Sequence, residues 1–457
     1  MLPKISLFRA KAMSSPIPYG ILGGGPAGLT LSHFLRERSE VLETLSTPGG
    51  HAASFQLDGF TFDYGPHIMF SKHKDILGFM IESLQGNVHE CRRNNKISFK
   101  GRLTKYPFEN GLSGLPLDDN FACVRDFFIN PYKDQCATPK NLKEWLLAQF
   151  GAGICDRYLF PYNEKVWNIP VEQLSMLWAD RIPNPAPEDI LKSSLGIPNE
   201  GYLHQLYYHY PRTGGYQALS NMWSQGAPVI YDYEITRIEK RDGLFYVSNS
   251  EDVRCYNQLI STLPVQKLLH LTNLEIPQQV RQAVDALIVH PMWIISLGIR
   301  GTDSEKMTAV YFPEAEYLVN RISFPATFSP QNAPEGCYSI QAEITCRPNS
   351  DTWSMEEDKI LQHVVDGMIE RNIIQSWQDI ICHNVCRRTY SYVVYDLAYE
   401  KNTSLIREWF SSQNLHLAGR FGFFEYANVD GIIWRNLQLA EKLNGHPVML
   451  KGRQILK

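Results

Sequence analysis

The chain has 457 residues, 44% of them hydrophobic and 20% charged, with a net charge of -4. That composition supplies a core large enough for two or three domains and excludes wholesale disorder. With 44 basic against 48 acidic residues, no basic surface points to nucleic acid or an anionic membrane, and no apolar run is long enough to span a bilayer.

The 9 cysteines are odd in number and scattered, which reads as reduced thiols in a cytoplasmic protein rather than a disulfide framework. Cys382 and Cys386 form the one close pair; with no second pair nearby they read as packed thiols, and no metal site is expected. Lys4, Arg9 and Lys11 interrupt the first apolar stretch, so it makes a poor secretory segment. Met13 is a more economical start, and residues 1–12 read as an extension.

In chain order, the first informative stretch is 18–50. A short strand at Tyr19–Leu22 runs into Gly23-Gly24-Gly25-Pro26-Ala27-Gly28, which matches G-x-G-x-x-G. A helical pattern follows to about Arg38, then a second strand at Val41 and Leu42 ending in Glu43. Strand, glycine turn, helix, strand and acid in this register form a dinucleotide-binding βαβ unit. Gly23 and Gly25 let backbone approach a pyrophosphate. Gly28 lets helix and strand pack closely, and Glu43 is placed to accept from a ribose. The helix N-terminus turns free N–H groups toward the phosphates. A second glycine pair, Gly49-Gly50, follows the acid. Such a series resembles FAD enzymes of the glutathione-reductase and amine-oxidase type more than NAD dehydrogenases.

Residues 106–204 read as mostly helical and are rich in aromatics and proline. Strand-type alternation returns from Tyr207 to Ile260, with a hairpin turn at Arg241-Asp242-Gly243. Further strand-like runs occupy 285–400, interrupted by one helix over Met355–Arg371. The C-terminal part reads strand, loop, helix. Ile433, Leu437, Ala440 and Leu443 share a helix face, Asp430 is the expected N-cap, and Asn444-Gly445 stops the helix.

Several blocks together carry a family likeness: GGGPAGL, PGGHAAS, DYGPHIMF, KYPFENGLSGLP, FPYNEKVWNIP, LWADRIPNP, YPRTGG, STLP, YFPEAEYLVNRISFPATFSP, RRTYSYVVYD and AGRFGFFEYANVDG. Through them the chain resembles the UDP-galactopyranose mutase family, its eukaryotic-type members more than the short bacterial ones, from Tyr19 to about Leu443. The glycine and STLP blocks are shared with amine oxidases and protoporphyrinogen oxidases and specify only FAD. The resemblance implies an α/β fold: an FAD-binding Rossmann-like domain of glutathione-reductase type, a helical domain and an antiparallel sheet domain. The expected division assigns 1–100, 205–265 and 411–457 to the FAD domain, 101–204 to the helical domain and 266–410 to the substrate sheet.

The resemblance also implies site residues. Gly50, Gly65, Pro66, His67, Gly214, Gly215, Thr262, Gly419, Arg420 and Asp430 would line the FAD alongside Gly23, Gly25, Gly28 and Glu43. His67 would orient or polarise the isoalloxazine. Tyr106, Phe108, Glu109, Asn163 and Trp167 would meet the nucleoside. Arg181, Arg321, Tyr392 and Tyr426 would hold a diphosphate, with Tyr395 the alternative to Tyr392 if the register between Arg388 and Asp396 slips. Taken singly, each arginine reads as a structural ion pair and each buried aromatic as core. Glu109 replaces a family glutamine. A carboxylate only accepts, so it suits the paired donors of guanine better than uracil, unless it turns away to cap a helix or pair with a lysine.

The implied reaction interconverts pyranose and furanose forms of a nucleotide-diphosphate sugar, with reduced flavin N5 as nucleophile at the sugar C1. His67, Arg181 and Arg321 are the residues assigned to catalysis, and no side-chain base is required. NAD(P)H or another reductant would serve the flavin, and a homo-oligomer is left open. The rival readings are an FAD-dependent oxidase or desaturase of the protoporphyrinogen-oxidase or amine-oxidase type, and a flavin-binding protein without turnover.

Overall fold

The structure is a computed structural model. It describes residues 15–450 except 183, 200–205 and 304, together with 453–454, so the expectation for residues 1–12 and Met13 lies outside the described residues. Two seven-stranded sheets and a helical block organise the chain.

The first sheet runs in the order Arg237–Arg241, Leu244–Ser248, Val253–Ser261, Ile17–Leu22, Ser39–Leu42, Val229–Ile230, with Leu415–Leu417 also pairing Val253–Ser261. Ile17–Leu22 (β1) lies parallel to both neighbours. It is buried from Tyr19 onward, as a strand covered by helices on both faces must be. The helix Pro26–Leu35 (α1) follows immediately, with Pro26 at its first turn, where a missing N–H costs nothing. A Cβ on Gly28 would collide with the Gly23 carbonyl, so this crossing admits only glycine. Helix Val429–Asn444 packs against α1: Asn436 Nδ2 donates to Ala27 O at 2.8 Å and Thr30 Oγ1 at 2.7 Å. The expected hairpin is present, Arg241 facing Leu244 across Asp242 (φ 50) and Gly243 (φ 79).

The second sheet runs Ile380–Val393, Val289–Arg300, Cys337–Thr345, Arg321–Ser323, Ala309–Tyr311, Asn95–Phe99, Arg102–Lys105. Its pairing is antiparallel except where Asn95–Phe99 meets Ala309–Tyr311. Helix Glu357–Glu370, close to its expected span, buries Ile360, Leu361, Val364, Val365 and Met368 in one core with this sheet. The helical block joins the opposite core, Phe108, Phe150 and Trp167 clustering with Met292, Ile294 and Tyr392. Within that block, Leu117–Phe128 and Leu142–Ile154 cross where a Cβ on Gly151 or Gly153 would strike the backbone of the other helix. Asn141 caps the second helix by accepting from Glu144 N at 3.0 Å, and Glu144 accepts from Lys140 N in return.

Three local expectations need correction. The segment 95–105, which the expected division split at residue 100 between the FAD domain and the helical domain, pairs in the second sheet, and Ile97 and Phe99 fill the core with Phe108. Within the stretch from Tyr207 to Ile260, Gln217–Ser224 is a helix, burying Leu219, Ser220 and Trp223 on one side. Asp430 lies in the first turn of the C-terminal helix, whose cap position is Asn428, so its carboxylate meets the helix dipole without capping it.

Candidate functional site

The glycine turn after β1 is shaped by three different constraints. Gly23 has φ +104, and a Cβ there would collide with Thr262 Oγ1. Thr262 in turn donates from both N (3.0 Å) and Oγ1 (2.7 Å) to Leu22 O. Gly25 leads into α1 with no protein atom nearer than 3.8 Å to a built Cβ. Of the glycines in this turn, Gly25 is the one that the protein's own packing does not require. Glu43 is buried, and its carboxylate accepts from Gly24 N at 2.5 Å and Leu45 N at 2.8 Å. The acid therefore rigidifies the turn. Gly50 (φ +53) brings its backbone against Gly25, and Gly49 N donates to Gly24 O at 3.0 Å, closing the two glycine loops on each other.

A buried carboxylate ties the neighbouring loops together. Asp63 accepts from Ser54 Oγ (2.6 Å), Tyr216 N (2.9 Å) and Tyr210 OH (2.8 Å), and burial pushes it up to about 6 against the pull of these bonds. Its own carbonyl takes Gln341 Nε2 of the second sheet at 2.7 Å. The loop Gly65-Pro66-His67 leaves from this point, with Gly65 at φ +98. Gly214 and Gly215 border the same knot. A Cβ on Gly215 would meet Ser54 and Asp63, so that glycine serves protein packing rather than approach to a ring; Gly214 is open apart from Ala218. His67 packs 5.2 Å from the Tyr216 ring, and its Nδ1 is buried with no hydrogen-bond partner among the described residues. Burial pushes His67 down to about 4, the charges of Arg420 and Arg321 acting in the same direction and a backbone hydrogen bond at Gly65 opposing them. The imidazole is therefore neutral near pH 7 and offers one acceptor nitrogen.

Beside this lies a row of cations and phenols. The Arg181 guanidinium sits 5.1 Å from the Tyr426 ring centroid and 5.4 Å from that of Trp178, and its Nη2 donates to Tyr426 O. Arg420 stands 4.1 Å from the Tyr426 ring and 5.7 Å from Tyr392, with its Nε buried and unpartnered among the described residues. Tyr392 and Tyr426 are 5.6 Å apart. Arg321 closes the row, its Nε and Nη2 both 2.6 Å from Glu343 Oε2. Among the described residues, no carboxylate forms an ion pair with Arg181 or Arg420. Burial raises the Tyr392 phenol well above its usual range, with Glu343 and Tyr426 adding to the effect and Arg321 and Arg420 opposing it, so it remains a donor. Tyr395 lies beneath, its hydroxyl accepting from Tyr426 N at 2.9 Å. Tyr392, not Tyr395, thus lies in the row.

The residues expected at the nucleoside separate. Tyr106 stacks on Tyr311 at 4.8 Å, and Glu109 is buried nearby, within electrostatic reach of Tyr106 and Tyr158. Phe108 is 0% exposed and stacked on Tyr158 at 5.0 Å, so it backs the cleft and offers no face to a base. Asn163 is spent within its own helix, donating to Leu159 O at 2.7 Å and accepting from Trp167 Nε1 at 3.2 Å. Trp167 is 2% exposed and packs edge-on against Tyr392 and Tyr426, supporting the row from below.

Sequence reasoning missed Glu343, Arg388 and Tyr311. Arg388 lies 3.8 Å over the Tyr64 ring with a buried Nε that has no partner among the described residues. Glu343 carried a signal: an acid in the otherwise uncharged strand Cys337–Thr345, buried at every position after the first, must have a cationic partner. No cluster of metal-ligating side chains occurs among the described residues. None of their helices is long and apolar enough to cross a membrane.

Comparison with known proteins bears on the fold. Residues 21–82 match the NAD(P)-binding Rossmann-like domain. The UDP-galactopyranose mutase of Mycoplasma pneumoniae is 26% identical over 201 residues, covering 40% of this chain and 49% of that protein. The chain thus matches about half the length of this curated relative. The crystal structure of reduced UDP-galactopyranose mutase superposes with a TM-score of 0.85 at 24% identity, over 94% of this chain and 96% of that one. The fold is that of UDP-galactopyranose mutase. The mutase fold is shared more loosely with an Exiguobacterium protein described as a protoporphyrinogen oxidase (TM-score 0.72, 16% identity, 94% and 99% covered). A putrescine oxidase follows at TM-score 0.66 and 14% identity, over 94% of this chain and 99% of that one. The open cradle at Gly25 and the orphaned His67 Nδ1, Arg388 Nε and Arg420 Nε fit a dinucleotide cofactor such as FAD.

Proposed function

We propose that this protein is a flavin-dependent mutase that interconverts the pyranose and furanose forms of a nucleotide-diphosphate sugar. The observation that carries the reading is the row Arg181–Tyr426–Arg420–Tyr392–Arg321. Two arginines that have no carboxylate partner among the described residues, together with two phenol hydroxyls, suit an anionic leaving group that must depart and return. Arg181 and Arg420, on either flank of Tyr426, neutralise the diphosphate, and the Tyr392 and Tyr426 hydroxyls donate to its oxygens. Arg321 is held by Glu343 and contributes its remaining nitrogen, Nη1. Neutral His67 accepts one hydrogen bond and adds no charge beside the ring. When bound and reduced, FAD would supply the nucleophile, N5, at the sugar C1. Gly25 and Gly50 would hold its pyrophosphate, Glu43 its ribose, and Gly65–His67, Gly214 and Gly419–Arg420 its ring. NAD(P)H or another reductant of that class would prime it. The three-part division belongs to the same proposal, with segment 95–105 assigned to the substrate sheet.

The alternative is oxidation of a substrate by the same cofactor, favoured by the oxidase neighbours of the fold. The two readings differ in electron balance. An anaerobic assay with catalytic dithionite and a panel of nucleotide sugars is expected to give furanose product with no stoichiometric consumption of reductant. Stoichiometric substrate oxidation with peroxide release in air, and no furanose, would replace the mutase reading by the oxidase one.

A further inference from the structure

Arg93 is a cation that the proposed reaction leaves unused. It follows the strand His89–Arg92, and its backbone N–H donates to Leu206 O at 2.8 Å. Its guanidinium lies 4.7 Å from the Phe70 ring centroid and 6.0 Å from that of Tyr208. Nε and Nη2 are both buried, and among the described residues neither has a hydrogen-bond partner. These two atoms form one edge of the guanidinium, the fork that takes a planar anion with two parallel bonds. Arg321 shows the same edge satisfied: its Nε and Nη2 both reach Glu343. Buried donors on a charged group cost about 1–3 kcal/mol or more when left unmade, so an unmatched fork is unfavourable unless something fills it.

The position narrows what that is. Phe70 ends the Gly65–Phe70 loop that carries His67. The phenol of Tyr106, stacked on Tyr311, lies within electrostatic reach of both Arg93 and Arg321. Arg93 therefore stands near the diphosphate row without belonging to it, on the His67 loop side through Phe70. Aromatic rings beside the fork suit a flat, two-oxygen anion.

We propose that Arg93 recognises a carboxylate on the glycosyl part of the substrate, so that the preferred substrate is a nucleotide-diphosphate uronic acid rather than a neutral sugar. The proposal rests on the nucleotide-sugar reading. One bidentate charge-assisted contact made by the carboxylate alone corresponds to about a tenfold or greater preference.

The test measures dissociation constants on flavin-loaded, reduced protein for two matched pairs, UDP-galacturonate against UDP-galactose and GDP-mannuronate against GDP-mannose, with UDP and GDP as references. The carboxylated member of the pair whose nucleotide binds is expected to be at least about tenfold tighter. Arg93→Met should abolish that preference without changing UDP or GDP affinity or flavin content, and Arg93→Lys should keep part of it. Removing an unpaired buried charge should raise thermal stability or leave it unchanged, so the Met variant is expected to fold. Arg93→Gln provides a second variant of similar reach. Equal binding of acid and neutral sugar, or a preference that survives in Arg93→Met, overturns the assignment while leaving the mutase reading standing. Failure of both UDP and GDP to bind overturns both.

Discussion

The two arginines named from the sequence occupy different environments, and their substitutions should differ accordingly. Arg181 is exposed, rests on aromatic rings and leaves no buried carboxylate behind when removed. Arg181→Ala is expected to weaken nucleotide-diphosphate binding by about 1.5–3 kcal/mol, the scale of a charge-assisted hydrogen bond, with thermal stability and flavin content unchanged. Calorimetric titration with UDP and GDP, beside a melting curve, checks it. Arg321→Ala strands Glu343, whose side chain is 3% exposed, and should destabilise the fold by about 3–5 kcal/mol. The double change Arg321→Leu with Glu343→Leu should recover much of that stability while remaining defective with nucleotide sugar. Sequence patterns could point to Arg321 because its block is distinctive. They could not show that Glu343 already partners it, because that contact joins paired strands 22 residues apart in the chain. The same limit separated Tyr106, which lines the cleft, from Phe108, which the fold turns into the core.

Among the elements, the βαβ unit was legible because each part has a local cause: a glycine turn, a proline at the helix start, an alternation in register. The glycines nevertheless divide into distinct classes once atoms surround them. A Cβ on Gly28 meets backbone oxygen, whereas one on Gly25 meets nothing closer than 3.8 Å. Gly25→Val is therefore expected to fold and lose bound FAD, read as a colourless protein with a normal far-ultraviolet dichroism spectrum. Gly28→Val should fail to fold, since backbone cannot yield as a side-chain tip can. A yellow Gly25→Val protein would show that the turn does not cradle the pyrophosphate. The helix Gln217–Ser224 and the strand pair at 95–105 escaped the reading for a different reason. Both are short, and their partners, α1 and the strand Ala309–Tyr311, are supplied by tertiary structure.

At the scale of the whole molecule, buried titratable groups set how stability responds to acid. His290 pairs with Tyr392 in the second sheet, and burial pushes it down to about 4 from 6.5, with Trp167 pulling the other way. The unfolded chain binds the additional proton between those values, so the contribution is present above pH 6.5 and is lost as pH falls toward 4. Asp63, raised from 3.8 to about 6, acts in the opposite sense: its contribution is present below 3.8 and is lost as pH rises through 6. Thermal melts from pH 4 to 7 should show His290→Gln flattening the acid loss, by on the order of 1–3 kcal/mol at pH 4. Asp63→Asn should steepen it. A His290→Gln profile parallel to the parent's would remove the histidine from this account.

The first sheet also imposes an order of events in the cell. Glu43 and the glycine turn leave the ribosome early, yet Val253–Ser261, Leu415–Leu417 and the helix that clasps α1 through Asn436 come much later. At about 5–20 residues per second, roughly 20–80 seconds separate residue 43 from residue 430. During that interval the nascent chain holds the glycine turn without the strand beside it or the helix that braces it. Flavin capture should accordingly follow synthesis of the chain rather than accompany it. In a cell short of flavin, the species that accumulates would be a complete but unloaded chain, and protease sensitivity should rise first at the glycine loops.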